Sequence, residues 1–406
     1  MTNRTAKEIK MGSVKRLLDD MMDPDRIEPQ PGKYVSAVCF EDEQLRKFVR
    51  RNLSDERCSY YRGQGKTPKG APLGAVLAFI FDAFCSRYDD ANNGVGWEGG
   101  FVGATTWDSH DLVWETIDLT ERAEDRLLDD IAGALPDRTW SEIDPYRART
   151  HQILRWSWDK FVDVVKHERR FYFNEGDTED EESISPGALL SAVANKCLQA
   201  RMVRKLPTDT RFYRCRGRKR GEHFTEPADL GPPPKEYASQ SRMSPAGIPM
   251  FYGAADEATA RAETLKTDDA RHTMALFGLG RPIHVLDLTK SPAISIFDQG
   301  RRWLFEWAIF MQQFRRELRK KVEKDDRVHI EYVPTQIVTE YFRSFLKTRK
   351  GKPIDGILYR SAAPTAQVCI ALFADANAVA PAAATGGSVD TTSGYLLQLL
   401  SFAEHK

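Results

Sequence analysis

An arginine, a tyrosine and a glutamate follow one another in SRMSPAGIPMFYGAADEATARAE, residues 241–263, and those types in that order suit one kind of chemistry. The Arg242 guanidinium can hold a phosphate through two parallel charge-assisted hydrogen bonds, which a lysine cannot reproduce. Tyr252 offers a flat face to a nicotinamide or ribose. The Glu263 carboxylate can stabilise the oxocarbenium-like charge that builds on a ribose as its base departs, and can accept a hydrogen bond from a ribose hydroxyl. Together they point to cleavage of an N-glycosidic bond in a diphosphate-containing cofactor.

The surrounding residues say how the three are carried. Pro245, Gly247 and Pro249 keep the segment after Arg242 out of a helix, IPMFYG reads as a short strand ending at Tyr252, and Asp256 can cap a helix running through Glu263. On that helix Ala258, Ala262 and Leu265 are expected to pack, leaving Asp256, Thr259, Ala260 and Glu263 on another face.

At 406 residues the chain is long enough for two cores, and 41% hydrophobic with 29% charged residues is ordinary for a globular protein. The acidic run NEGDTEDEESISPG (174–187) reads as a linker, placing a boundary near 180. The expected layout is a helical domain over 1–180, a mixed α/β domain over 181–376, and a mobile Ala/Gly-rich tail over 377–406 with an apolar end; the fold class is α+β. Helical spacing marks 72–88 and 150–171, and Ser185-Pro186 opens a helix over 185–203. Strands are expected at 211–216, 248–254, 283–289, 327–334, 355–361 and 368–374. Between them, one helix should bury Trp303, Trp307, Phe310, Met311, Phe314 and Leu318, and another Val338, Tyr341, Phe342 and Phe345.

Several chemistries are excluded. A formal net charge of +0 gives no global field for nucleic acid or an anionic membrane. No apolar stretch could span a bilayer and the start has no secretory core, so a cytoplasmic location is expected. The six cysteines form no C-x-x-C pair and the eight histidines no H-E-x-x-H, which gives neither a disulfide framework nor a metal site any support. RGQGKTP (62–68) lacks the first glycine of a phosphate-binding loop, Tyr60 standing there. The basic loop RCRGRKRGEH, with Arg218 and His223, reads as a solvated surface rather than a ribonuclease site.

The sequence resembles the RES-domain family, NAD-consuming toxins with an ADP-ribosyltransferase-like fold. The resemblance rests on FYRCR at the first strand, on residues 241–263 against the family's Gly-Arg-aromatic, Pro-x-Gly-x-Pro-x-x-Tyr and Ala-x-x-Glu pattern, and on DGILYRSA followed by VCIALF. Ser241 stands where the family often has Gly, and Met243 where an aromatic residue is common. ERCSYYRGQ and the helix after it are similar to the helical HEPN/RES-type domain that precedes RES in longer members. There relatives often carry a second cysteine where this chain has Tyr61, so no metal knuckle is expected.

The resemblance implies roles residue by residue. Arg214 and Arg242 would hold the cofactor's phosphates and ribose, Tyr252 would meet the nicotinamide end, Glu263 would be the catalytic carboxylate, and Ser361 would sit at the pocket floor; EYVPTQIVTEYF adds Gln336. It implies NAD as substrate, water or inorganic phosphate as the attacking group, no required cofactor or metal, and an inhibitory antitoxin or immunity protein as partner. Transfer of ADP-ribose to a macromolecule is the alternative within enzymes, and an inactive nucleotide-sensing or interaction module the alternative outside them.

Overall fold

A computed structural model describes residues 25–172, 183–265, 271–319, 328–363, 367–381 and 394–405. The chain divides into two compact units, one formed by the residues up to Arg147 with Ile294–Phe305, the other by Ala148–Ala293 with Glu306 onward. The division therefore falls at Arg147/Ala148; the stretch around residue 180 expected to hold the boundary lies outside the described residues.

The first unit is built on helices Glu43–Arg51, Leu73–Cys85, Ser109–Thr116 and Arg126–Ala132. Asp42 and Asp108 cap two of them, each accepting backbone N–H bonds from the first turn. Phe40, Tyr60, Phe84 and Trp140 fill its core, and Phe297, from the returning segment, joins them. Short strands accompany the helices, among them a hairpin of Gly96–Trp97 with Phe101–Val102 in the Gly-rich stretch.

The second unit carries an eight-stranded mixed sheet. Its strands are β1 (Val203–Leu206), β2 (Arg211–Gly217), β3 (Phe251–Ala254), β4 (His272–Leu279), β5 (Ile283–Asp287), β6 (Gly356–Arg360), β7 (Val368–Leu372) and β8 (Leu397–His405). They lie in the order β8-β4-β2-β3-β7-β6-β5-β1, with β5 and β6 parallel and every other pair antiparallel. Helices accompanying it include α1 (Thr150–Asp163), α2 (Pro186–Gln199, capped by Ser185), α3 (Glu257–Thr264, capped by Asp256), α4 (Phe305–Arg319) and α5 (Val333–Phe345). Trp158 of α1 stands edge-on to Phe314 of α4 at 5.0 Å, and His151 bonds Glu306, which is why α1 packs with the second unit.

Asp355 and Gly356, at the start of β6, have separate tasks. The Asp355 carboxylate accepts from the His284 N–H at 2.8 Å and pairs with Arg281 at 2.6 Å, tying β5 to β6. At Gly356 a Cβ would lie 2.4 Å from the Ala371 carbonyl, so β7 can approach only a glycine.

The structure corrects several expectations. Of the strand expected at 327–334, the described residues 328–334 are helical instead: Val328–Glu331 is a short helix, and Pro334 sits in the first turn of α5, where its missing N–H costs nothing, whereas a ladder would need it. Trp303 precedes α4 and is 54% exposed, and Phe345 at the end of α5 is 65% exposed, so neither belongs to its helix's buried stripe. On α3 the buried residues are Thr259 and Ala260, while Ala258 and Ala262 face solvent. The apolar end of the tail is β8, paired along the whole of β4 and covering an edge that would otherwise leave backbone groups unpaired. Much of the tail before it, 382–393, lies outside the described residues.

Candidate functional site

Four elements of the second unit converge. Tyr252 lies on β3, opposite Ala371 of β7, which in turn faces Ile357 of β6. Two residues further along β6 is Tyr359, opposite Cys369. Directly paired residues and those two apart share a face. Tyr252, Tyr359 and Cys369 therefore project from the same side of the sheet, where the two tyrosines pack against Met243, Met250 and Ala371.

Glu263 reaches that side from the last turn of α3 and is exposed. An acidic side chain there opposes the helix dipole, a local cost of about 0.3–1 kcal/mol. A donor offsets it. Ser361, fully buried just past β6, donates its hydroxyl to Glu263 Oε1 while its Oγ accepts the Ala363 N–H at 2.9 Å. The carboxylate thus has one oxygen fixed.

Arg242 comes from the loop before β3. Its Nη1 donates to the Leu318 carbonyl at 3.1 Å, in the last turn of α4, where a cation is favoured. The loop is shaped by Gly247 in left-handed conformation (φ 83°) and by the Ser241 N–H donating to the Ser244 carbonyl at 2.7 Å. The first turn of α5 clasps it: Thr335 Oγ1 donates to the Arg242 carbonyl at 2.5 Å, and Gln336 Nε2 donates to the Ser241 and Ser244 carbonyls at 2.8 and 3.2 Å. Gln336 is 8% exposed, and its amide holds the arginine's loop. Ser241, the departure from glycine, shares a hydrogen bond with the Tyr252 hydroxyl, which also bonds Ser244 at 3.0 Å.

The electrostatics join these groups. Burial pushes the Tyr359 phenol well above its ordinary value; Cys369, Glu263 and Tyr252 push it further and Arg242 opposes them. Burial likewise raises Tyr252, with the bonds from Ser241 and Ser244 opposing, and lifts the Cys369 thiol to about 12, with Glu263 and Asp256 adding. Both tyrosines remain neutral across the physiological range. A cavity of about 70 Å³ beside Arg242, walled by Trp158, Val162, Leu318 and Thr335, has room for water but not for a dinucleotide.

Arg242, Tyr252, Glu263 and Ser361 are thus gathered around Tyr359, with Gln336 behind the loop. Arg214 is set apart by the pleat. Tyr213 pairs with Ala254, on Tyr252's face, so Arg214 projects from the other face, its guanidinium 5.3 Å from the Phe251 ring. Its Nη1 reaches the Tyr252 carbonyl at 3.2 Å, and burial with Arg216 alongside lowers it to about 10, still charged at neutral pH. Tyr359, Thr335 and Arg319, whose Nη2 donates to the Ser361 carbonyl at 3.4 Å, were not singled out from the sequence. For Tyr359 the signal existed: it lies two residues before Ser361, and side chains two apart along a strand share a face. Outside the site, Arg218 and His223 of the basic loop both meet Glu404 of β8, at 3.2 and 3.0 Å.

Residues 211–392 match the RES domain family profile, and residues 51–179 match HEPN/RES N-terminal domain 1. The chain carries a RES domain preceded by a HEPN/RES-type N-terminal domain. Its α+β fold, with a RES domain following the N-terminal domain, agrees with those two matches, and the RES domain ties the protein to a NAD-acting, toxin-like group. The RES match begins at β2 and covers Arg242, Tyr252, Glu263, Gln336 and Ser361; the N-terminal match runs past Arg147 through α1. No curated protein matches the chain. Among the described residues no helix is long and apolar enough to cross a membrane.

Proposed function

We propose that this RES protein degrades NAD by cleaving the bond between nicotinamide and ribose. The observation that carries the reading is Glu263, an exposed carboxylate held by the buried Ser361 hydroxyl on the sheet face that bears Tyr252 and Tyr359. Nicotinamide departs as a neutral base from a cationic ring, so the positive charge left behind develops on the ribose. A fixed carboxylate is matched to that charge, and removing one such preorganised group typically costs about 10²–10³ in kcat. Arg242 supplies the guanidinium for the diphosphate, exchanging the Leu318 carbonyl for the ligand. Tyr252 and Tyr359 supply an aromatic wall. Water or inorganic phosphate then attacks the anomeric carbon from the open side.

Loss of NAD in the cell would arrest growth, which fits a toxin or defence effector restrained by an inhibitory partner. The test is NAD turnover by the purified chain, with and without inorganic phosphate, beside Glu263→Gln. Turnover lost in Glu263→Gln supports the reading, and a phosphate requirement selects phosphorolysis over hydrolysis. Label passing from tagged NAD to a macromolecule would instead establish transfer. Wild type and Glu263→Gln that bind NAD alike and leave it intact would make the domain a binding module.

A further inference from the structure

Two cysteines meet in the first unit, one of them the cysteine of ERCSYYRGQ. Cys39 ends the 3₁₀ turn Ala37–Cys39, Cys58 lies in the loop before Tyr60, and their Sγ atoms are 3.6 Å apart. Cys39 is fully buried and Cys58 is 7% exposed. The two segments are held in place independently of the thiols: the Tyr34 N–H donates to Ser59 Oγ at 3.0 Å, the Ser59 N–H to the Tyr34 carbonyl at 2.8 Å, and the Thr120 N–H to the Cys39 carbonyl at 2.9 Å.

A buried cysteine is usually a small inert hydrophobe. Such a residue needs no donors around its sulfur, yet Cys58 Sγ accepts the Ser36 N–H at 3.2 Å and lies against the Cys39 thiol. Those donors, with the Tyr60 N–H, hold Cys58 below the ordinary thiol value, while the same contact and burial push Cys39 up. One sulfur is therefore favoured as thiolate and the other as its proton donor. A disulfide needs the sulfur atoms about 2.05 Å apart. The two Sγ atoms are already in contact at 3.6 Å, so bonding requires them to close only the remaining distance.

We propose that Cys39 and Cys58 form a dithiol that closes to a disulfide in response to hydrogen peroxide, with Cys58 the attacking sulfur and Cys39 the resolving one. The Cys58 thiolate attacks one peroxide oxygen, forming an S–O bond as the O–O bond breaks and hydroxide leaves to become water. Cys39 then attacks the sulfur of the resulting sulfenic acid. An S–S bond forms, the S–O bond breaks, and the Cys39 proton leaves with the hydroxyl as a second water. The closed loop contains helix Glu43–Arg51, so oxidation fastens that helix to the Cys58 loop and raises the thermal stability of the unit. This inference is independent of the NAD reading.

The experiment exposes the reduced full-length chain to hydrogen peroxide, alkylates it under denaturing conditions, and maps peptides by mass. The expected result is loss of two hydrogens, a peptide cross-linking Cys39 to Cys58, a higher Tm, and reversal of all three by dithiothreitol. In Cys39→Ser, Cys58 should be trapped by dimedone as the sulfenic acid, whereas in Cys58→Ser the remaining Cys39 should stay alkylatable. The proposal is overturned if both thiols of the wild type stay alkylatable at a peroxide dose that oxidises the exposed Cys85, or if Cys58 proceeds to sulfinic acid with no cross-link. The wild-type map decides the question even if a variant does not fold.

Discussion

Replacing Gln336 by Met removes the amide that holds the Arg242 loop while keeping the side chain's volume. The two lost bonds are not equivalent. The Ser244 carbonyl keeps the bond from the Ser241 N–H at 2.7 Å, so losing its 3.2 Å bond to Gln336 costs a typical net hydrogen bond, about 1 kcal/mol. The Ser241 carbonyl loses its 2.8 Å donor in a part-buried setting, which adds about 1–3 kcal/mol for an unsatisfied acceptor. A total of about 2–4 kcal/mol, at roughly 2–4 °C per kcal/mol for a domain of this size, lowers Tm by about 4–16 °C. The loop then shifts the Arg242 guanidinium from its place, and on the proposed reading, in which Arg242 binds the diphosphate, kcat/KM for NAD falls with the KM component dominant. Differential scanning calorimetry and steady-state NAD turnover read the two effects. A Gln336→Met protein with wild-type Tm and wild-type KM would refute the assignment of this amide as the loop's anchor.

Ser361→Ala removes a hydroxyl donated to a carboxylate, a bond worth about 1.5–3 kcal/mol, so kcat should fall by about 10–100-fold with KM little changed; an unchanged kcat would separate Ser361 from Glu263. Gly356→Ala forces a Cβ to within 2.4 Å of the Ala371 carbonyl and should destabilise the sheet by about 1–3 kcal/mol, read as a lower urea midpoint. Tyr60, Tyr252 and Tyr359 all have phenols raised by burial, with the Asp130 carboxylate adding to the effect at Tyr60. Raised folded values mean that their contribution to stability is complete below the unfolded value near pH 10 and is lost as pH rises from there through the folded values. In an alkaline titration followed by phenolate absorbance, these three should ionise only with unfolding; complete ionisation while the near-ultraviolet circular dichroism stays native would contradict their burial.

Local sequence determined more of the site than of the sheet around it. Arg242, Tyr252 and Glu263 were legible because the punctuation between them acts locally: Gly247 allows a positive φ, and Asp256 caps the helix that ends beside Glu263. Helices α1 and α2 were legible because their apolar spacing and Ser-Pro start are properties of a few consecutive residues. Strand β4 escaped because it is buried on both faces and shows no alternation, and β8 because its pairing with β4 joins residues far apart in the chain. Tertiary structure alone decided which side chains share a face. The pleat put Arg214 opposite Tyr252, the antiparallel pairing of β6 with β7 brought Tyr359 and Cys369 together near Glu263, and the fold of the first unit brought Cys39 to Cys58. Residue types and spacing announce what chemistry a chain can support. Register and packing, which depend on contacts between distant segments, settle which of those residues meet.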